Sequence, residues 1–305
     1  MKQLKNKITI IIIIALASIS VYSQSAGNSG MAFLKYGFGA RNIALGDAGT
    51  SLSNDLTSLF YNPAKLALNN NSEIMFMHNE WIEDIRSEVL GVKTEFWDVP
   101  FAFGFNVTTV DGLEAREIAS EEPDSKFQYN YFFGSISSGF DITEEIFFGA
   151  SFKYLYEGVL NDEATGYGLD FGVHYLLPYK GLTASAVIKN IGSMDALRSQ
   201  STKLPTEFRV GAAYTFTPEE SDFDFTAGAE LLKYLDVEDN HFNLGGEVVY
   251  KKLIAARAGY QTGFESRGLT AGIGLMWGSL KFDYAFLPFN QGLGSANLFS
   301  LQFKF

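Results

Sequence analysis

The chain has 305 residues, a formal net charge of −12, 30 Gly, 28 Phe and 15 Tyr, only 7 Pro and no Cys. That acidity excludes nucleic acid as a partner, because its binding relies on Lys and Arg neutralising phosphates, and the lack of Cys excludes disulfides and a thiol-linked lipid anchor. A mean hydropathy of +0.03 with 15% aromatic residues suits many half-apolar strands, and beyond residue 21 no apolar run nears the roughly 20 residues of a spanning helix.

At the N-terminus, Lys2, Lys5 and Lys7 precede the apolar run 8–21, followed by Ser23 after the small residues Ser18 and Ser20. This pattern predicts a secretory signal peptide over 1–23, cleaved near Ser23–Gln24. The mature chain then carries 20 basic against 35 acidic residues, a formal charge of −15. An exported fold without disulfides needs another stabilising device, and barrel closure is one.

Residues 24–72 do not alternate. Gly27, Gly30, Gly37, Gly39, Gly46 and Gly49 interrupt them, which predicts loop and short turns. Leu52, Leu56, Leu59 and Phe60 then fall on a helical stripe. Asn62 as cap with Pro63 at the first position starts a second short helix.

From residue 73 the chain breaks into alternating segments separated by turn signals. Strands are predicted at 73–81, 85–95, 99–109, 126–142, 145–159, 164–178, 181–192, 204–216, 222–235, 240–252, 253–263, 268–279, 280–289 and 296–305, with 111–118 a possible hairpin arm. Fourteen is even, as a single-chain outer-membrane barrel requires. The fold class is therefore all-β, a transmembrane antiparallel barrel over 73–305 with 24–72 as an N-terminal plug of short helices.

The last strand shows why the apolar face meets lipid. Phe299, Leu301, Phe303 and Phe305 share one side; Leu298, Ser300, Gln302 and Lys304 share the other. A free aromatic edge at a chain end would template aggregation, whereas a barrel-closing strand has no free edge. The opposite assignment elsewhere would put Lys153, Glu157, Asp170, His174, Arg209, Glu230, Glu247, Lys251, Arg257, Lys281 and Asp283 into hydrocarbon, at about 2–4 kcal/mol for each basic residue at mid-bilayer. These side chains are expected to line the lumen, paired with one another or with the plug. Barrels of this size lie between those that side chains fill and those with an open channel. The many lumen-side glycines leave room for residues 24–72.

Enzyme chemistry has little support. Only His78, His174 and His241 are available, and no G-x-S-x-G elbow surrounds a Ser. Asp236, Glu238, Asp239 and Asn240 do not follow calcium-loop spacing and read as a solvated hairpin turn. Neither metal nor cofactor is expected.

Several blocks resemble the PorV/PorQ family. They are Gly39-Ala40-Arg41, Leu45-Gly46-Asp47-Ala48, Asn54-Asp55 and Tyr61-Asn62-Pro63-Ala64, then Leu204-Pro205, Gly211, Tyr214, Arg257, Gly259-Tyr260, Gly268, Gly272, Gly274 and the run from Phe282-Asp283-Tyr284 to Pro288-Phe289. The resemblance implies a FadL-like fourteen-stranded barrel with a plug, and a role in type IX secretion. Secreted proteins bearing C-terminal type IX signals, or translocon and attachment subunits, would then be partners besides outer-membrane lipid. Two departures stand out: Gly46-Asp47-Ala48 replaces the usual Gly-Gly-Ala, and the His usual before the terminal Ser-Leu is absent. The other reading is a FadL-like passive transporter of long-chain fatty acids or other hydrophobic compounds.

Overall fold

The computed structural model describes residues 30–69, 71–237 and 239–305; the expected signal peptide lies outside them. Fourteen antiparallel strands close into one barrel. In chain order they are β1 (Glu73–Glu80), β2 (Ile85–Phe96), β3 (Val99–Ala115), β4 (Ser125–Asp141), β5 (Ile146–Val159), β6 (Asp162–Leu176), β7 (Leu182–Met194), β8 (Glu207–Phe216), β9 (Phe223–Tyr234), β10 (Asn240–Tyr250), β11 (Ile254–Gln261), β12 (Leu269–Trp277), β13 (Leu280–Pro288) and β14 (Ser295–Lys304). Each pairs with its sequence neighbours, and β14 returns to β1 in the register Ile74↔Phe303 and His78↔Phe299. Closure satisfies the backbone polar groups inside the wall, as a membrane demands.

The predicted faces are the observed ones. Phe299, Leu301, Phe303 and Phe305 are exposed on the outside, while Leu298, Ser300 and Gln302 are buried. On β5, exposed Phe152 and Tyr154 alternate with buried Ser151, Lys153 and Glu157. Trp97, Trp277 and Phe305 are exposed at the rim where the strand series begins and ends, the interface position that aromatic girdles favour. Turns at that rim are short (97–98, 278–279), whereas the opposite rim carries the longer 116–124 and 195–206. By the usual asymmetry of such barrels the terminal rim is periplasmic and the other external. Phe152→Arg should destabilise the barrel by about 2–4 kcal/mol; an unchanged urea midpoint in lipid would place that face elsewhere.

Four details differ from the sequence reading. Residues 111–115 extend β3 past a register shift between Val110 and Leu113 and form no separate arm. The strand expected from 204 begins at Glu207, after a loop containing a two-residue hairpin, Ala196–Leu197 against Gln200–Ser201. Lys251 does not line the lumen: β10 ends at Tyr250, so Lys251 sits exposed in the following turn, 3.5 Å from Asp222. The glycine-rich start of the plug is not only loop, because α1 (Ala40–Ala44) forms within it.

The plug then continues through α2 (Gly49–Leu52), α3 (Ser58–Tyr61) and a 3-10 turn, Pro63–Leu68, after an earlier 3-10 turn at Ala32–Lys35. Such short helices are unstable alone. Their support comes from the wall: α1 touches β11 to β14, α2 touches β7 to β9, and Pro63–Leu68 touches β3 to β6. The chain enters at the external rim, where the Gly30 N–H donates to the Lys203 carbonyl at 3.0 Å, and leaves at the terminal rim into β1.

Candidate functional site

The site is the filled lumen, and its two halves differ in chemistry. Toward the terminal rim, plug and wall are joined by buried ions. Arg41 of α1 is 2% exposed. Its Nε and Nη2 donate to the Glu247 carboxylate at 3.0 and 2.6 Å, and Nη1 donates to the Leu52 carbonyl at 2.7 Å. Glu247 also accepts from Arg257 Nε at 2.5 Å, and Arg257 Nη1 reaches Asp283 at 2.8 Å. Lys281 lies 2.7 Å from Asp55 and 3.3 Å from Asp283. Asp55 further accepts from Gln302 and from the Thr57 hydroxyl. A cavity of about 300 Å³ opens below this network, between Asn54, Lys252, Lys281 and Lys304.

A second group sits across the lumen. Arg209 on β8 meets Glu207 at 3.2 Å, Glu230 at 3.0 Å and Asp47 at 3.3 Å. Lys189 pairs with Glu207 at 2.7 Å, and the Tyr61 hydroxyl donates to Asp47 at 2.5 Å. Glu230 also accepts from the Thr50 N–H at the start of α2. A third pair, Lys153 and Asp170 at 2.7 Å, is held with Asn190. Lys65, buried on the plug, donates to the Ser51 carbonyl.

Small residues let the plug backbone approach. At Gly46 the backbone is left-handed (φ 69°), its N–H donates to Thr270 Oγ1 at 3.1 Å, and a Cβ there would strike the Leu244 carbonyl oxygen. Gly39, also at positive φ, donates its N–H to Met77 sulfur. Asn62 caps the Pro63–Leu68 turn by accepting from the Ala64 N–H at 3.1 Å, and its Nδ2 donates to the Val173 carbonyl on β6. Asn62→Ala should weaken the docked turn by about 1 kcal/mol. Faster proteolysis within 63–68 is the expected readout, and unchanged protection would remove Asn62 from the anchoring set.

Toward the external rim the same lumen is aromatic. Phe38 stacks on Phe60 at 4.6 Å, and both meet Phe133 edge-on at 5.7 and 6.0 Å. Phe33 lies 4.9 Å from Tyr131. Tyr36 stacks on Trp81 at 4.8 Å, Trp81 meets Phe289 edge-on at 5.3 Å, and the Arg267 guanidinium covers Trp81. Lys35, over the Tyr234 ring, has its ammonium pushed below the ordinary lysine range by burial.

The structure thus brings Arg41, Asp55, Glu247, Arg257 and Asp283 together, and separately Arg209 with Glu230. His174 stands apart, its Nδ1 2.7 Å from Ser185 Oγ. Both are buried, at 1% and 5% exposure, which leaves an ester no approach to that Ser–His contact. Glu207, Lys189 and Lys65 escaped the sequence reading, and Asp47 entered it only as a departure from the family motif. Glu207 was detectable, since it lies two residues before Arg209 and shares its face.

No protein-family model and no curated protein matches the chain. Solved structures do match. The toluene transporter TbuX of Ralstonia pickettii superposes with a TM-score of 0.63 at 13% identity, covering 88% of this chain and 98% of that one. The toluene transporter TodX of Pseudomonas putida gives 0.61 at 14% identity, covering 88% and 97%. CymD, a monoaromatic hydrocarbon channel, gives 0.59 at 13%. At such identities the likeness establishes the fold. The chain has the FadL-like barrel fold. These neighbours are transporters and channels.

Proposed function

We propose that the protein is a passive outer-membrane conduit for small hydrophobic compounds, admitted from the external rim. The observation that carries this reading is the aromatic seam running inward from Phe289 and Trp81, past Tyr36, to Phe33, Phe133, Phe38 and Phe60. Aromatic faces accept apolar solutes without hydrogen-bond demands, so a solute can replace ring contacts as it moves. The charges of the Arg41 network pair with one another and with the plug toward the terminal rim, away from the seam. Uptake of radiolabelled toluene or oleate into liposomes bearing the full mature chain should exceed that into empty liposomes. Equal uptake would overturn the reading.

A second reading is a cargo or docking component of type IX secretion, of PorV/PorQ type. The resemblance supports it, and so does the ionic fastening of the plug through Arg41 and Asp55, which suits a closed barrel used as a platform. Crosslinking in outer membranes followed by mass spectrometry separates the two. Enrichment of proteins with type IX signals or of attachment subunits favours docking, and a barrel recovered alone favours transport.

A further inference from the structure

The mouth of the lumen at the terminal rim holds positive charge that the fold does not use. The cavity of about 300 Å³ below the Arg41 network is lined by five cations, Arg41, Lys252, Arg257, Lys281 and Lys304. They converge there in a chain whose mature charge is −15. The carboxylates facing the cavity are Asp55 and Glu247, whose side chains are only 2% and 5% exposed. Both are already occupied. Glu247 accepts three hydrogen bonds from Arg41 and Arg257, and Asp55 accepts from Lys281, Gln302 and Thr57. Neither is left to neutralise the outer ammonium groups.

Donors with spare capacity lie on the accessible side. Lys252 is exposed in the turn after β10, and among the described residues its side chain meets no carboxylate and makes no hydrogen bond. Its backbone is left-handed (φ 54°), as is that of Lys251 (φ 51°), a conformation that favours glycine. Lys251 has Asp222 as a partner at 3.5 Å, whereas Lys252 points to nothing that explains a lysine there. Lys304 is 38% exposed and touches only Glu73, at 3.4 Å. Asn54 and Ser279, both exposed, add an amide and a hydroxyl whose side chains have no partner among the described residues. Nothing lies within 4 Å of a Cβ built at Gly278, so the turn beside Ser279 leaves the mouth open.

We propose that this cavity binds a phosphate group, held by the ammonium groups of Lys252 and Lys304, with Lys281 behind them and hydrogen bonds from Asn54 and Ser279. A phosphate monoester carries about −1.5 to −2 at pH 7 and offers three acceptor oxygens, so it engages several donors at once. Lysine serves such a group as a point charge. A carboxylate, with one charge and two oxygens, uses fewer of these donors. Two sources carry this chemistry, a lipid headgroup and free phosphate. Leu280 lines the cavity yet is 42% exposed beside Trp277 on the outer face, which gives the chains of a lipid a path to the bilayer. Binding here is independent of whether the lumen conducts.

Calorimetric titration of the full mature chain, in a neutral maltoside detergent and a phosphate-free buffer, tests this with inorganic phosphate, dihexanoyl phosphatidic acid and acetate. Inorganic phosphate should bind, and acetate more weakly. Tighter binding of the phosphatidic acid than of phosphate, above its partition into micelles, assigns the site to a lipid headgroup. Equal or weaker binding assigns it to free phosphate. Lys252→Gln should weaken phosphate binding about 10-fold, the lower end for a lost charge-assisted hydrogen bond because the site is open to water. Lys304→Gln should act alike. Lys251→Gln, one residue away but paired with Asp222, should leave binding unchanged. Gel mobility without boiling confirms that the variants are closed barrels. Binding of neither phosphate-bearing probe, acetate binding as tightly as phosphate, or a Lys252→Gln variant with the parent's affinity overturns the proposal.

Discussion

Replacing Glu247 with Ala is expected to detach α1 from the wall while leaving the barrel closed. Glu247 accepts two hydrogen bonds from Arg41 and one from Arg257. Its removal leaves the Arg41 guanidinium with the Leu52 carbonyl alone, in a site where that residue is 2% exposed. Removing one partner of a buried ion pair is destabilising by about 3–5 kcal/mol, because the remaining charge stays desolvated. Arg257 keeps Asp283 at 2.8 Å, which places the effect in the lower part of that range. The released region should be α1 and the Gly46 turn, so protease cleavage within 39–47 is the measurement. The double variant Arg41→Met with Glu247→Leu should regain most of the protection, since apolar residues of similar volume replace a buried pair with little loss. A single variant as resistant as the parent would show that the ion pair does not hold the plug.

The strands were legible because a period of two survives over most of the wall, broken at shifts such as Val110/Leu113 and Leu169/Phe171, and the lipid demand sustains it. Phe299 to Phe305 and the β5 series Phe152, Lys153, Tyr154 reveal their faces without any partner. The plug was less legible. Ala40–Ala44 spans little more than one helical turn, too short for a periodic pattern, and it forms because β11 to β14 surround it. Ion partners were legible as lumen residents but not as pairs. Arg41 and Glu247 lie 206 positions apart, and only barrel curvature and plug depth bring them together.

Asp47 shows the limit of motif comparison. It stands where the resembling family has glycine, and its backbone is left-handed at φ 59°. Glycine adopts that conformation freely, while a side chain there is strained by about 1 kcal/mol or more. Here the side chain is used: Asp47 accepts from Tyr61 and lies 3.3 Å from Arg209. The departure from the motif thus adds an acid to the Arg209 group. Asp47→Gly should relieve the backbone and leave Tyr61 and Arg209 each one partner short.

Gly149→Val is expected to open the lumen without unfolding the wall. A Cβ at Gly149 would collide with the backbone nitrogen of Ala64, in the first turn of Pro63–Leu68. Backbone cannot swing aside as a flexible side chain does, so the whole turn must move. Overpacking of this kind is destabilising by about 1–3 kcal/mol, and the penalty falls on the plug, because Val itself suits a strand. The displaced turn also draws Asn62 away from Gly172 and Val173, its contacts on β6. Single-channel recordings should therefore show conductance in Gly149→Val that the parent lacks. Gly259→Val, aimed at the Gly46 nitrogen on the other side of the lumen, should act alike. Ala150→Val, one residue along but on the lipid face, should leave the lumen closed. A closed Gly149→Val barrel with the plug still protected would mean that the wall flexes to accept the side chain, and the glycines would then not set the fit of plug to wall.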